Sequence, residues 1–262
     1  MSKVVPLFSG SSGNSYYVSN GGSGILIDVG RSAKQMTQAL ENNNISVSSI
    51  EAVFITHEHS DHVSGLRVFA NRYKLPVYMS SGTQNALIKK NYVDEKTDCR
   101  IIDNDGVNLS TMHVDRFSIS HDCAEGIGFR VNMGEKSFAL ATDLGYISDE
   151  VEEAVTGCDA VAIESNHDVN MLQMGSYPYI LKRRILSDTG HLSNAACSEF
   201  LPGLVKKGTK RFILAHLSRE NNMPEIAYRE SLNVLNANNM KLLNDFTLDV
   251  APVETNGSSV IF

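Results

Sequence analysis

The sequence predicts an α/β fold of two mixed β-sheets stacked face to face, with helices outside. Three observations carry that expectation. The chain opens with three strand-like runs joined by Gly/Ser/Asn turns before any helix, and a second strand-rich stretch covers roughly residues 99–142. Around these stretches, helix-like runs alternate with apolar strand-like runs. The Gly/Ser turns mostly join strand to strand, whereas a doubly wound single sheet places them ahead of helices.

Residues 3–8, 15–18 and 24–29 read as the first three strands. A helix follows over 33–41, with Ser32 as N-cap and Gln35 completing a capping box. Residues 51–55 read as a buried strand, and 63–70 carry apolar residues at helical spacing. A short strand at 77–79 and a helix at 84–90 come next. Asp105-Gly106 and Gly134-Glu135 are turn signals within the second strand-rich stretch. Residues 149–155 read as a helix behind the cap Ser148, with acids in the first turn to suit its dipole. A strand at 159–164, a helix at 195–206, a strand at 210–215 and a helix from Pro224 to about 238 follow, and two strands close the chain. The 72 residues 144–215 thus read as a strand, two helical segments and loops ahead of the strand at 210–215.

A chain of 262 residues with 42% apolar content can bury a full core, and no linker or repeat divides it, so one domain over 1–262 is expected. The amino terminus is apolar for too few residues to be a signal peptide, and no run approaches the roughly 18 apolar residues of a membrane helix. Cys99, Cys123, Cys158 and Cys197 are scattered without a CxxC pair and read as reduced thiols, which implies a cytoplasmic location. The net charge of −7 argues against nucleic-acid binding by bulk charge. Residues 182–219 nevertheless hold Lys182, Arg183, Arg184, Lys206, Lys207, Lys210, Arg211 and Arg219, against Asp188 and Glu199 alone. That stretch reads either as solvated helix face or as a phosphate-contacting rim.

The run Thr56-His57-Glu58-His59-Ser60-Asp61-His62 is the densest chemistry in the chain. It lies at the carboxyl end of a strand, on the turn into a helix, where α/β sheets place their sites. His57 and His59 point the same way in extended chain, while Asp61 and His62 reach a neighbouring point from another side. That geometry suits two metal ions better than one. Three further metal-capable residues stand where apolar strands stop: His121, Asp143 and His216.

These residues give the chain a clear resemblance to the metallo-β-lactamase fold superfamily. The superfamily's HxHxDH signature is matched by His57, His59, Asp61 and His62, and its later His, Asp and His fall on His121, Asp143 and His216. The resemblance covers essentially the whole chain and implies an αββα sandwich with a dinuclear site between the sheets. It implies that His57, His59 and His121 bind one ion, that Asp61, His62 and His216 bind the other, and that Asp143 bridges them. Donors without thiolate suit zinc, manganese or iron. Two such ions can bring the pKa of a water between them to about 7 and clamp both oxygens of an in-line displacement. Five neutral imidazoles and two carboxylates leave a charge of about +2, which favours an anionic substrate such as a phosphodiester.

Other residues separate the subfamilies. Cys123 stands two positions after His121, not where the family's thiolate ligand falls, so it reads as a buried or supporting thiol. Glu164 and Gly190-His191-Leu192-Ser193-Asn194 are similar by position to motifs of tRNase Z-type phosphodiesterases, which implies His191 as the acid for the leaving alkoxide and Glu164 as its orienting group. The alternatives are a helix N-terminal His and a strand-end surface acid. His167 and Asp168 read as channel or supporting residues, and His113 as an ordinary structural histidine. In the loop 9–15, Ser12 and Asn14 are candidates to approach a phosphate, although any tight hairpin favours Gly and Asn.

Together these motifs resemble the YycJ (VicX) group of bacterial cytosolic nucleases. That resemblance implies a 5′-to-3′ DNA exonuclease, a role in mismatch repair, and genetic association with a cell-wall two-component system. No room exists for a β-CASP insertion, so any grip on nucleic acid falls to the rim, chiefly Lys182, Arg183 and Arg184. The substrate is expected to be DNA, with RNA second. One alternative is hydrolysis of a small ester, thioester or cyclic nucleotide. Another is a metal-loaded, non-catalytic accessory of a signalling system.

Overall fold

A computed structural model describes residues 1–262. Its strands are β1 (Ser2–Phe8), β2 (Ser15–Asn20), β3 (Ser23–Ile27), β4 (Ile50–Phe54), β5 (Val77–Met79), β6 (Cys99–Ile101), β7 (Val107–Asn108), β8 (His113–Ser118), β9 (Ile127–Met133), β10 (Lys136–Ala141), β11 (Ala160–Glu164), β12 (Arg211–Ala215), β13 (Thr247–Val250) and β14 (Val260–Ile261). The helices are α1 (Ala33–Asn42), α2 (Ser60–Val63), α3 (Leu66–Tyr73), α4 (Ser81–Lys89), α5 (Asp149–Val155), α6 (Val169–Met174), α7 (Tyr179–Ile185), α8 (Asn194–Lys206) and α9 (Pro224–Ala237).

The strands make two seven-stranded sheets. The first runs β14-β1-β2-β3-β4-β5-β6, antiparallel from β14 to β3 and parallel from β3 to β6. In the second, ordered β13-β12-β11-β10-β9-β8-β7, strands β10 to β13 pair in parallel and β7 pairs with β8 antiparallel. Both sheets are therefore mixed and accompanied by helices, as the alternation of runs predicts.

By contact the chain divides into two compact units, one of Met1–Arg116, Cys123–Lys136 and Pro252–Phe262, the other of Phe117–Asp122 and Ser137–Ala251. In the first, Met36, Leu40, Leu66 and Phe69 from α1 and α3 join Val5, Leu26 and Val53 from β1, β3 and β4 in one apolar cluster. In the second, Val151, Leu201, Leu204 and Leu235 from α5, α8 and α9 join Ala139, Val161, Phe212 and Leu248 from the parallel strands. Strand β11 is buried along its whole length, which is why its sequence runs apolar without alternation.

The caps behave as their side chains dictate. Ser32 and Ser148 accept from Gln35 N and Val151 N at the starts of α1 and α5. Two expectations need correction. The helix over 63–70 is broken into α2 and α3, because Gly65 sits where a Cβ would lie 1.9 Å from Arg31 O and its N–H donates to Val29 O. Residues 169–185 are not loop but the two short helices α6 and α7. Each spans two turns at most, too short for an apolar period to show in sequence.

Candidate metal-binding residues

In the first unit, the run after β4 is held by hydrogen bonds that leave little freedom. Asp28, directly after β3, accepts from Thr56 N at 2.9 Å and from Thr56 Oγ1 with both carboxylate oxygens. Its Oδ2 also accepts from His62 Nδ1 at 2.7 Å. Thr56 Oγ1 gives its one proton to Asp28 and so accepts from His57 Nδ1 at 3.0 Å. The rings of His57 and His59 lie 4.6 Å apart and those of His57 and His62 4.1 Å apart, with Asp61 Oδ2 3.5 Å from His62 Nε2. Burial raises the Asp28 carboxyl above its usual range, against the pull of the His62 charge and hydrogen bonds. Glu58, also buried, accepts from Ala124 N at 3.0 Å.

In the second unit, Glu164 is the hub. Fully buried at the end of β11, it accepts from His191 Nδ1 at 2.9 Å and His216 Nδ1 at 2.8 Å on Oε1, and from Leu144 N and Leu192 N at 3.0 Å on Oε2. Burial alone would push this carboxyl up. The His191 and His216 charges and hydrogen bonds outweigh it and hold Glu164 well below the usual carboxylate range. Asp143 Oδ1 lies 3.2 Å from His216 Nδ1 and 3.8 Å from both His121 Nε2 and His191 Nδ1. His121 donates from Nδ1 to Gly190 O at 3.0 Å. Asp143, Glu164, His191 and His216 offer ligand atoms within 4.8 Å of one another.

The donor chemistry fits a divalent cation. In His57, His62, His121 and His216 the Nδ1 proton is taken by a protein acceptor, which leaves Nε2 as the basic atom of each ring. Asp28, Asp143 and His216 also share a backbone feature, φ of 63°, 60° and 54°, in the left-handed region that non-glycine residues rarely enter.

The remaining candidates fall in varied places. Asn14 is buried, its amide donating to Asp61 Oδ2 at 3.2 Å and lying 3.0 Å from His62 Nε2, so it braces the His/Asp loop. Ser12 Oγ accepts from Arg31. His167 is buried, and burial pulls its imidazole down to about 4 although Glu164 opposes this. Arg183 lies 5.9 Å over the Tyr179 ring, and Arg184 pairs with Asp122. Lys182 donates to the carbonyls of Gln173 and Gly175. His113 bonds Asn108 and Asp115, an ordinary structural role. Cys123 is half-buried. Asp28 was not foreseen. Its signal was the one that marks Asp143, an acid where an apolar strand stops, but the apolar Val29 after it makes the strand read on through 24–29.

A sheet-end array of imidazoles and carboxylates, on two mixed sheets with flanking helices, defines a class of metallohydrolase folds. Residues 24–217 match the family described as the beta-lactamase superfamily domain, and the chain belongs to that superfamily. It is 39% identical over 224 residues to the exodeoxyribonuclease YycJ of Bacillus anthracis, covering 84% of each chain. It is 37% identical over 250 residues to the exodeoxyribonuclease WalJ of Streptococcus pneumoniae, covering 94% of this chain and 93% of that one. The metallo-β-lactamase fold protein YhfI of Bacillus subtilis superimposes with a TM-score of 0.74 over 99% of this chain and 98% of its own, at 15% identity, a likeness of fold alone. The expected metallo-β-lactamase fold and the resemblance to the YycJ group both hold. No helix is long and apolar enough to cross a membrane.

Proposed function

We propose that this protein is a metal-dependent exodeoxyribonuclease that hydrolyses DNA phosphodiesters at a centre of two divalent ions, zinc or manganese with iron possible on the same donors. The observation that carries the reading is that His57, His62, His121 and His216 each set Nδ1 against a protein oxygen, an arrangement that offers Nε2 to a cation. Under it, His57, His59 and His121 would hold one ion, Asp61, His62 and His216 the other, and Asp143 would serve both, with 1–262 acting as one domain. When bound, the ions supply an activated water and neutralise charge at the scissile phosphate.

The side chains supply the rest. Asp61, fixed by Asn14, orients the attacking water. His191 gives the leaving alkoxide its proton from Nε2, since Nδ1 is committed to Glu164. Glu164, held below the usual carboxylate range, positions the ring through its bond to Nδ1. Ser12, His167, Arg183 and Arg184 belong to the substrate's surroundings, and Asn14 acts through the loop it braces. The relatives' printed names support DNA over RNA. The 5′-to-3′ polarity, the cytoplasmic location and the part in DNA repair are our reading from the resemblance to the YycJ group alone. The net charge of −7 favours a second reading, hydrolysis of a small ester or cyclic nucleotide.

Digestion of end-labelled DNA and RNA, alongside small esters, across Mn²⁺ and Zn²⁺ decides between them. His59→Ala is expected to abolish metal-dependent cleavage with its circular dichroism unchanged, and undiminished cleavage would overturn the ligand set. His191→Ala should slow DNA cleavage by roughly 10²–10⁴-fold, the usual contribution of a general acid. The loss should be far smaller on bis(p-nitrophenyl) phosphate, whose leaving group departs without a proton. Equal loss on both substrates would remove His191 from the acid role.

A further inference from the structure

We propose that the hairpin of α6 and α7 receives a single-stranded end of the DNA, with Tyr179 as a stacking platform for one base and Arg183 as a contact to its phosphate. The inference rests on the DNA-hydrolase reading above and specifies how that site takes hold of its substrate.

Exposed apolar residues are ordinary when scattered, but here Met174, Tyr179 and Ile180 are 88%, 73% and 82% exposed within seven positions of one another. The two helices are tied together. Lys182 Nζ reaches from α7 to donate to Gln173 O and Gly175 O at 2.8 and 2.7 Å, clipping the end of α6. One turn from Tyr179, the Arg183 guanidinium lies 5.9 Å from the ring centroid, which holds the ring and leaves a cation beside it.

The hairpin's base adjoins the ligands of the second unit. His191 N donates to Ile185 O at 2.9 Å, the last residue of α7. Gly190 packs so tightly that a Cβ there would lie 2.3 Å from Arg184 O. Arg184 itself pairs with Asp122, next in sequence to His121. A separate open cavity of about 500 Å³, lined by Ser120, Tyr146, Asp149 and Glu150 among others, presents carboxylates that repel phosphate. In a chain of net charge −7, an apolar, aromatic patch flanked by arginines fits a polyanion that carries flat rings. The strand must be single there, because a base has to leave its stack to lie on Tyr179.

The test is fluorescence anisotropy of a labelled 12-nucleotide single-stranded DNA with the full chain, run beside cleavage assays. Tyr179→Ala should weaken binding about tenfold, within the range measured for loss of one base–aromatic stack, whereas Tyr179→Trp should keep the affinity. Arg183→Ala should lower the salt slope by about one. Tyr146→Ala, in the lining of the acidic cavity, is the control and should bind as the parent does. Parent-like binding by Tyr179→Ala, or equal loss by Tyr179→Trp, would overturn the proposal. So would a dimer that Tyr179→Ala converts to monomer without loss of DNA affinity, since a second copy would then cover the patch. Cleavage by the parent with unaffected hairpin variants removes the hairpin and leaves the nuclease reading. Tyr179-dependent binding without cleavage removes the nuclease reading and leaves the hairpin. A parent that binds no DNA overturns both.

Discussion

Asp28 decides what His62 can do. An imidazole has one proton and two nitrogens when neutral, and a carboxylate on Nδ1 fixes the proton there and makes Nε2 more basic. Asp28 does this for His62 and, through Thr56, for His57, so one buried side chain sets two candidate ligands. Its left-handed backbone, with φ of 63°, aims the carboxylate at both and is strain that the bonds from three donors, Thr56 N, Thr56 Oγ1 and His62 Nδ1, offset. Asp28→Asn keeps the shape but presents a neutral amide to His62 Nδ1. It should weaken divalent-metal affinity by roughly 10–100-fold, the usual effect of removing such a partner, read by competition with a chromogenic chelator. Unchanged affinity would mean that Asp28 serves only to hold Thr56.

The ends of strands are where this fold keeps its polar groups. Strands β3, β10, β11 and β12 become buried and apolar toward their carboxyl ends, and Asp28, Asp143, Glu164 and His216 stand at those ends or within two residues of them. A buried strand is visible in sequence because it cannot alternate, so its first polar residue stands out. Asp143, Glu164 and His216 were legible for that reason, and the His57–His62 run by density alone. Asp28 was not, because the chain leaves the sheet between Ile27 and Val29 by a backbone turn that residue types do not announce. The partnership of Glu164 with His216 was equally hidden, since their pairing depends on the parallel register of β11 and β12 across 52 positions of chain. Close backbone contact is a third thing that sequence conceals. At Gly30 a Cβ would lie 1.8 Å from Asp61 O and 2.4 Å from Asn14 N, where Asn14 N donates to Asp61 O at 2.7 Å. Gly30→Ala should therefore push the Ser9–Asn14 loop off the His/Asp loop and cost about 1–3 kcal/mol, as overpacking does. Gly203→Ala, with nothing within 4 Å on the exposed face of α8, should stabilise by about 0.5–1 kcal/mol. Thermal melts of the two variants check both signs.

A chain of net charge −7 draws DNA weakly over distance, so the proposed activity must rest on short-range features: the cations of the metal centre and the arginines of the α7 hairpin. The same ions bear on stability. A ligand that binds only the folded state stabilises it by about 4 kcal/mol at a thousandfold excess over Kd. Under the proposed ligand set, four donors come from residues 57–62 and three from His121, Asp143 and His216, which the contact pattern assigns to different units. Metal should then slow amide exchange in both groups of segments: around Thr56–His62 in the first unit, and around Asp143 and Ala215-His216 in the second. Hydrogen–deuterium exchange with and without Mn²⁺ reads each separately. Protection confined to the second unit would point to a single ion on Asp143, His216 and their neighbours, and the HxHxDH run would then need another purpose. Protection confined to the first would leave Glu164 and its two imidazoles as a purely structural hub. Joint protection of both groups of segments is the outcome that the proposed ligand set requires.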